Sequence, residues 1–245
     1  MAITYTKEKV LNLLIDMSEE SFKEFSEKLM GKEVKMLGVR LPLLRKLSKQ
    51  IAKEDRMAYL EETTFPEGEI LEQIPYMEEI MLYGMVVGLM KEKVEVLFPY
   101  IDKYVALIDN WSTCDSFCAG LKQTKAQPEE MWEYLQKYLK SDKEFHIRFA
   151  VVMFLNYYIS EEYIDNLLKI FDEIHHEAYY VKMAVAWALS ICLVKYWDKT
   201  IAYMESKDNH LDDFTYRKAL QKGRESLCLT AEQKQYLKEL KGKRA

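Results

Sequence analysis

From Glu129 to Lys222 the chain contains neither a glycine nor a proline. A β-rich fold needs turn residues about every 8–12 positions, so this stretch predicts helix almost throughout. All five prolines fall in the first 128 residues. Pro42 and Pro128 stand where a helix starts, a position that tolerates the missing N–H. Apolar spacing and cap residues predict helices over Thr6–Met17, Ser21–Met30, Pro42–Ala52, Pro75–Met90, Val94–Tyr104 and Trp111–Thr124. Further helices are expected over Pro128–Leu139, Lys143–Tyr158, Glu161–Asp172, Ala178–Tyr196, Lys199–Glu205, Phe214–Ser226 and Ala231–Leu240. Asn110 is placed to cap the Trp111 helix, and Thr230-Ala-Glu-Gln233 reads as a capping box. The fold class is all-α.

A longer period runs beneath the helical one. A basic residue, a spacer and an alanine recur at Arg148/Ala150, Lys182/Ala184 and Arg217/Ala219, at spacings of 34 and 35 residues, and Asp115 falls 33 residues before Arg148. Two antiparallel helices and their turns consume about this length, which predicts an α-solenoid of stacked helix pairs with a concave groove. The recurring polar position would then form a stripe along that groove. No linker-like composition interrupts residues 1–245, so a single domain is expected.

Composition narrows the class further. The chain is 49% hydrophobic and 31% charged, the balance of a folded soluble protein. No apolar stretch reaches the ~18–20 residues of a membrane span; Ile80–Met90 and Met183–Val194 read instead as buried helices. The start, Met-Ala-Ile-Thr-Tyr-Thr-Lys, shows no signal peptide. Cys114, Cys118, Cys192 and Cys228 are scattered in helical context, the pattern of free thiols in a cytoplasmic protein. The net charge of −5 tells against nucleic acid as a partner, yet it hides an asymmetry. Thr215–Ala245 carries nine Lys/Arg, with Arg244 the last, against three Glu. That segment reads either as an anion-binding surface or as a solvated helix face.

Several residues stand where a helical protein usually keeps apolar ones. Trp111 and Asp115 are four apart, so indole and carboxylate project from one helix face. An aromatic face beside a carboxylate suits a ligand or transition state carrying positive charge. Arg148 and Trp187 lie in strongly apolar runs. Each has a plainer reading: the tryptophans as core, Arg148 as the partner of Glu144 one turn earlier, Asp115 as a cap or the partner of a distant arginine. Metal and nucleophile chemistry find less support. Cys114 and Cys118 have no second ligand pair, His175-His176 is a lone doublet, and neither a phosphate loop nor a nucleophile motif appears.

Taken together, Asn110-Trp-Ser-Thr-Cys-Asp115, Arg148-Phe-Ala150 and Tyr179-Tyr-Val-Lys-Met-Ala-Val-Ala-Trp187 resemble the DNA alkylation repair family of HEAT-like-repeat glycosylases. Leu37-Gly-Val-Arg-Leu-Pro-Leu-Leu-Arg45 resembles that family's N-terminal loop and helix, so the likeness runs from about Leu37 to Arg224. The resemblance implies a C-shaped solenoid that grips duplex DNA, and hydrolysis of the N-glycosidic bond of cationic N3- and N7-alkylated purines. It implies that Asp115 is the catalytic carboxylate, that Trp111 and Trp187 contact the lesion's sugar, and that Arg148 contacts the DNA backbone. Lys182, Arg217 and Lys218, with Arg45 and Lys46, are the further backbone candidates.

Those roles make physical sense. An alkylated purine is already cationic, so it leaves readily, and the developing charge is oxocarbenium character on the deoxyribose. A nearby carboxylate stabilises that charge, and indole faces add quadrupole attraction while excluding water. No metal or organic cofactor is called for, and a monomer is expected. The family's usual pattern is departed from at Ser112, where relatives often have a second tryptophan, and at Ser190, where active members are basic. The alternative is a non-catalytic helical-repeat module that binds structured DNA or a protein partner in the same groove.

Overall fold

The computed structural model describes residues 4–30, 34–65 and 75–243. Among these residues the regular structure is helical, apart from one isolated antiparallel bridge between Ser18 and Val39. The chain forms two compact units, Met1–Met131 and Trp132–Ala245.

The first unit contains α1 (Lys7–Asp16), α2 (Glu20–Met30), α3 (Leu41–Glu54), α4 (Arg56–Glu62), α5 (Met77–Val87), α6 (Val94–Val105) and α7 (Trp111–Gly120). A 3-10 turn over Lys122–Lys125 leads into α8 (Pro128–Leu139), within which the division falls. α5 is apolar nearly all round, and it packs between α3 and α7. Leu44, Leu47 and Ile51 of α3, Leu82 and Val86 of α5 and Phe117 of α7 are among the residues removed from water. Full burial of each such side chain is worth roughly 1.5–3 kcal/mol relative to exposure.

The second unit contains α9 (Glu144–Tyr157), α10 (Ile164–Glu173), α11 (Tyr179–Lys195), α12 (Trp197–Glu205), α13 (Asp213–Glu225) and α14 (Ala231–Lys243). Here α11 packs against both α9 and α13. The recurring alanines explain how. Ala150, Ala184 and Ala219 lie in the second turn of these three helices and are fully buried, so their small side chains let neighbouring helices approach closely. Hydrogen bonds tie residues one repeat apart: His176 Nε2 to the Asp142 carbonyl at 3.1 Å, Lys199 Nζ to Asp165 at 3.0 Å, and the Tyr203 hydroxyl to Asp172 at 2.8 Å. These pairs are separated by 34, 34 and 31 positions, close to the period of the sequence.

The helix ends follow the expected chemistry. Asn110 Oδ1 accepts the Thr113 N–H at 3.0 Å, and Thr230 and Gln233 exchange side-chain and backbone bonds as a capping box does. Two elements differ from expectation. α4 has no counterpart among the predicted helices: it is short, directly follows α3 across Asp55, and is held mainly by burial of Tyr59 and Leu60. α7 stops at Gly120 instead of continuing to Thr124, because Leu121 turns out of helical geometry after a glycine that favours termination. Arg244 of the basic tail lies outside the described residues.

Candidate active site

The Trp111–Asp115 pair owes its position to α7, and α7 is fixed from beneath. The Tyr104 hydroxyl donates to the Thr113 carbonyl at 3.0 Å, while its ring stacks on Phe117 with centroids 3.8 Å apart. A Cβ on Gly84 would stand 2.4 Å from the Tyr104 ring, so only glycine lets α5 and this tyrosine meet. Burial pushes the Tyr104 hydroxyl well above its ordinary pKa, which keeps it a donor. Asn110 closes the helix start by capping Thr113 and by donating to Asp109 at 2.7 Å.

On this platform Trp111 and Asp115 are both half-buried. Trp111 packs against Met30, Val34 and Met36, with Met77 beside it. The indole is therefore neither a core residue nor a loose surface one, and Asp115 sits one turn further along the helix. Ser112 and Ser116 share their partial exposure.

A buried carboxylate anchors the segment before α3, and the sequence reading did not single it out. Glu78 is 2% exposed and accepts three successive backbone N–H groups, from Leu37 at 3.0 Å, Gly38 at 2.7 Å and Val39 at 3.1 Å. Gly38 has φ 87°, and a Cβ there would meet the Glu19 carbonyl oxygen at 2.5 Å. Three donors converging on one carboxylate make a charge-assisted cradle. Its signal was an acidic residue inside an otherwise apolar helix.

In the second unit Arg148 is 5% exposed. Its Nη1 donates to the Tyr180 carbonyl at 2.9 Å, and the guanidinium lies 5.8 Å from the Tyr180 ring. Glu144, one turn earlier, accepts the Tyr180 N–H at 2.7 Å. Together they grip the first turn of α11, the helix that carries Trp187. Trp187 is half-buried, and its carbonyl accepts the Ser190 hydroxyl at 2.7 Å. Ser190 itself is buried, so its donor is directed back into its own helix.

The remaining predicted cations divide into two kinds. Lys182 pairs with Glu177 at 2.8 Å and lies 3.8 Å from Asp212; the Glu177 hydrogen bond is the main cause holding it above the ordinary lysine range. Arg217 Nε bonds both oxygens of Asp213, at 2.7 and 2.6 Å. Lys218 donates to Gln221 at 3.2 Å and stands 5.8 Å from the Phe214 ring. Arg45 and Lys46, by contrast, are exposed on α3 and have no carboxylate partner among the described residues.

Among the described residues no three His, Cys, Asp or Glu side chains come together as a metal site requires, and no helix is long and apolar enough to cross a membrane. Cys114, Cys118 and Cys192 are buried, and burial raises the Cys192 thiol to about 12. The family model of DNA alkylation repair enzymes matches residues 10–222. The chain belongs to that family. No curated protein matches it. The matched residues include the whole of α7, α9 and α11.

Proposed function

We propose that this DNA alkylation repair enzyme hydrolyses the N-glycosidic bond of cationic N3- and N7-alkylated purines in duplex DNA, with Asp115 as the catalytic carboxylate. The observation that carries this is the half-buried Trp111–Asp115 pair, one turn apart on a helix pinned by Tyr104. The alkylated base leaves as a neutral purine when the bond to the sugar breaks, and positive charge passes to the deoxyribose. Asp115 stabilises that charge and orients the water whose oxygen bonds to the anomeric carbon; the water's second proton is released to solvent. Trp111, beside Asp115 in the first unit, offers the sugar aromatic surface, and the same role is proposed for Trp187 of the second unit.

The helices stack as HEAT-like repeats, a reading supported by α5 between α3 and α7 and by α11 between α9 and α13. Lys182, Arg217, Lys218, Arg45 and Lys46 hold the phosphate backbone. Arg148 holds α11 in place through Tyr180, a supporting role beside the backbone contact that the family resemblance implies. The direct test is release of free 7-methylguanine from methylated duplex DNA under single-turnover conditions. Time-dependent release is expected; none at saturating protein would reject excision.

One set of observations favours the second reading, a non-catalytic repeat module. Lys182 and Arg217 are matched by carboxylates, and Ser190 offers no outward donor. Tight binding to duplex DNA without base release would establish that role.

A further inference from the structure

The cations on α3 differ from those of the second unit. Arg45, Lys46, Lys49 and Lys53 are all exposed, and none has a carboxylate partner among the described residues. Their spacing strings them along the helix over about 12 Å at 1.5 Å per residue. All four cations line one shallow trough of about 640 Å³. Glu54 lines the same trough, one carboxylate against the four cations, and accepts the Tyr5 hydroxyl at 2.8 Å. A second groove of about 520 Å³ carries the charge onwards, with Arg45 and Lys49 of α3 lining it together with Ser116 and Gly120 of α7 and Lys122. The groove is open at Gly120, where a Cβ would meet nothing within 4 Å. Lys122 is likewise exposed and without a carboxylate partner among the described residues.

Like charges one turn apart repel each other and weaken a helix. Four of them, on a chain whose net charge is −5, form a local positive field against an acidic background. A polyanion relieves that repulsion, and the acidic remainder orients it. Phosphates on one DNA strand advance about 3.4 Å each along the axis, so 12 Å spans three or four of them. We propose that the α3 face, continued by Lys122, is the chain's principal seat for the sugar–phosphate backbone of duplex DNA, ahead of Lys182 and Arg217. Those two must give up carboxylate partners before they can hold phosphate; the α3 cations need not. The assignment rests on DNA being the ligand, and not on the chemistry of Asp115.

The test is fluorescence anisotropy with an undamaged duplex over a series of salt concentrations. It compares the parent with a variant carrying Arg45→Gln, Lys46→Gln, Lys49→Gln and Lys53→Gln. Glutamine keeps helix propensity and these side chains are exposed, so the fold is retained; a melting curve checks it. A second variant, with glutamine at Lys91, Lys93, Lys140 and Lys207, makes the same change in net charge at other exposed lysines. The α3 variant should lose at least about tenfold in affinity at 0.1 M salt, with a log–log slope shallower by about 2.7–3.6, or roughly 0.9 per lost contact. The control should stay within about twofold. Equal losses in both variants, an α3 variant that binds like the parent, or a parent that does not bind DNA would each overturn the assignment. Parallel 7-methylguanine release separates the two ideas. Binding through α3 without excision refutes only the glycosylase role; excision with unchanged α3-variant affinity refutes only the α3 seat.

Discussion

Arg148 donates from Nη1 to the backbone carbonyl of Tyr180 at 2.9 Å, tying the second turn of α9 to the first turn of α11. The bond is buried at its donor end, so removing it leaves an acceptor without its charged partner. Arg148→Ala should therefore cost the second unit about 1.5–3 kcal/mol, the range for hydrogen bonds to charged groups. Urea denaturation measures it. A variant as stable as the parent but weaker in DNA binding would show that Arg148 serves phosphate alone.

Glu78→Gln should loosen the start of the first unit. Glutamine has one acceptor oxygen where the carboxylate presents two, and Leu37, Gly38 and Val39 share those two. Loss of the second oxygen should cost about 1–3 kcal/mol, the range for one buried donor, the Leu37 N–H, left unpaired. Amide hydrogen exchange at Leu37, Gly38 and Val39 should accelerate, while the amides of α11 keep their protection. Unchanged exchange at those three amides would contradict the role given to Glu78.

Gly84→Ala inserts a methyl group 2.4 Å from the Tyr104 ring. Overpacking of this kind typically costs 1–3 kcal/mol. Because Tyr104 supports α7, excision should fall along with stability. Adding Tyr104→Leu to Gly84→Ala should recover part of the lost stability by making room. Equal stability of the parent and the Gly84→Ala variant would show that the ring moves freely.

The Asp172 carboxyl provides a pH test. Burial pushes its pKa up, but hydrogen bonds from the His210 side chain and backbone and from Tyr203 outweigh that and hold it below the ordinary value. A carboxylate depressed in the folded state contributes stability that is fully present above its unfolded pKa, near 4, and is lost as pH falls through the folded value. The stability gap between parent and Asp172→Asn should be constant near neutrality and shrink below about pH 4. A gap that widens as pH falls would reverse the sign and reject this linkage.

Helix type and most boundaries were legible because the signals are local: the run without Gly or Pro, Asn110, Pro128 and the Thr230 box each act within a turn or two. The period was legible through Ala150, Ala184 and Ala219, whose small size meets a packing need that recurs with every helix pair. Charge partners about one repeat away were not legible. Asp212 reaches Lys182, and Tyr180 receives Arg148, across about one repeat, and no local spacing rule covers that distance. The same limit concealed Glu78, whose ligands are three backbone amides some 40 positions away. The α3 cations were undervalued for the opposite reason: Lys46, Lys49 and Lys53 look like an ordinary solvated face until it is seen in three dimensions that none of them pairs with a carboxylate among the described residues.

The central claim is that Asp115 carries the chemistry, and Asp115→Asn tests it most directly. The change keeps shape and most hydrogen-bonding capacity while removing the negative charge. Single-turnover release of 7-methylguanine from methylated duplex should fall by about 10²–10³-fold, the scale of losing one preorganised electrostatic partner. DNA affinity should stay close to that of the parent, because a carboxylate adds nothing to phosphate binding. A variant that excises at the parental rate, whatever its melting temperature, would make Asp115 a part of the scaffold and contradict the mechanism.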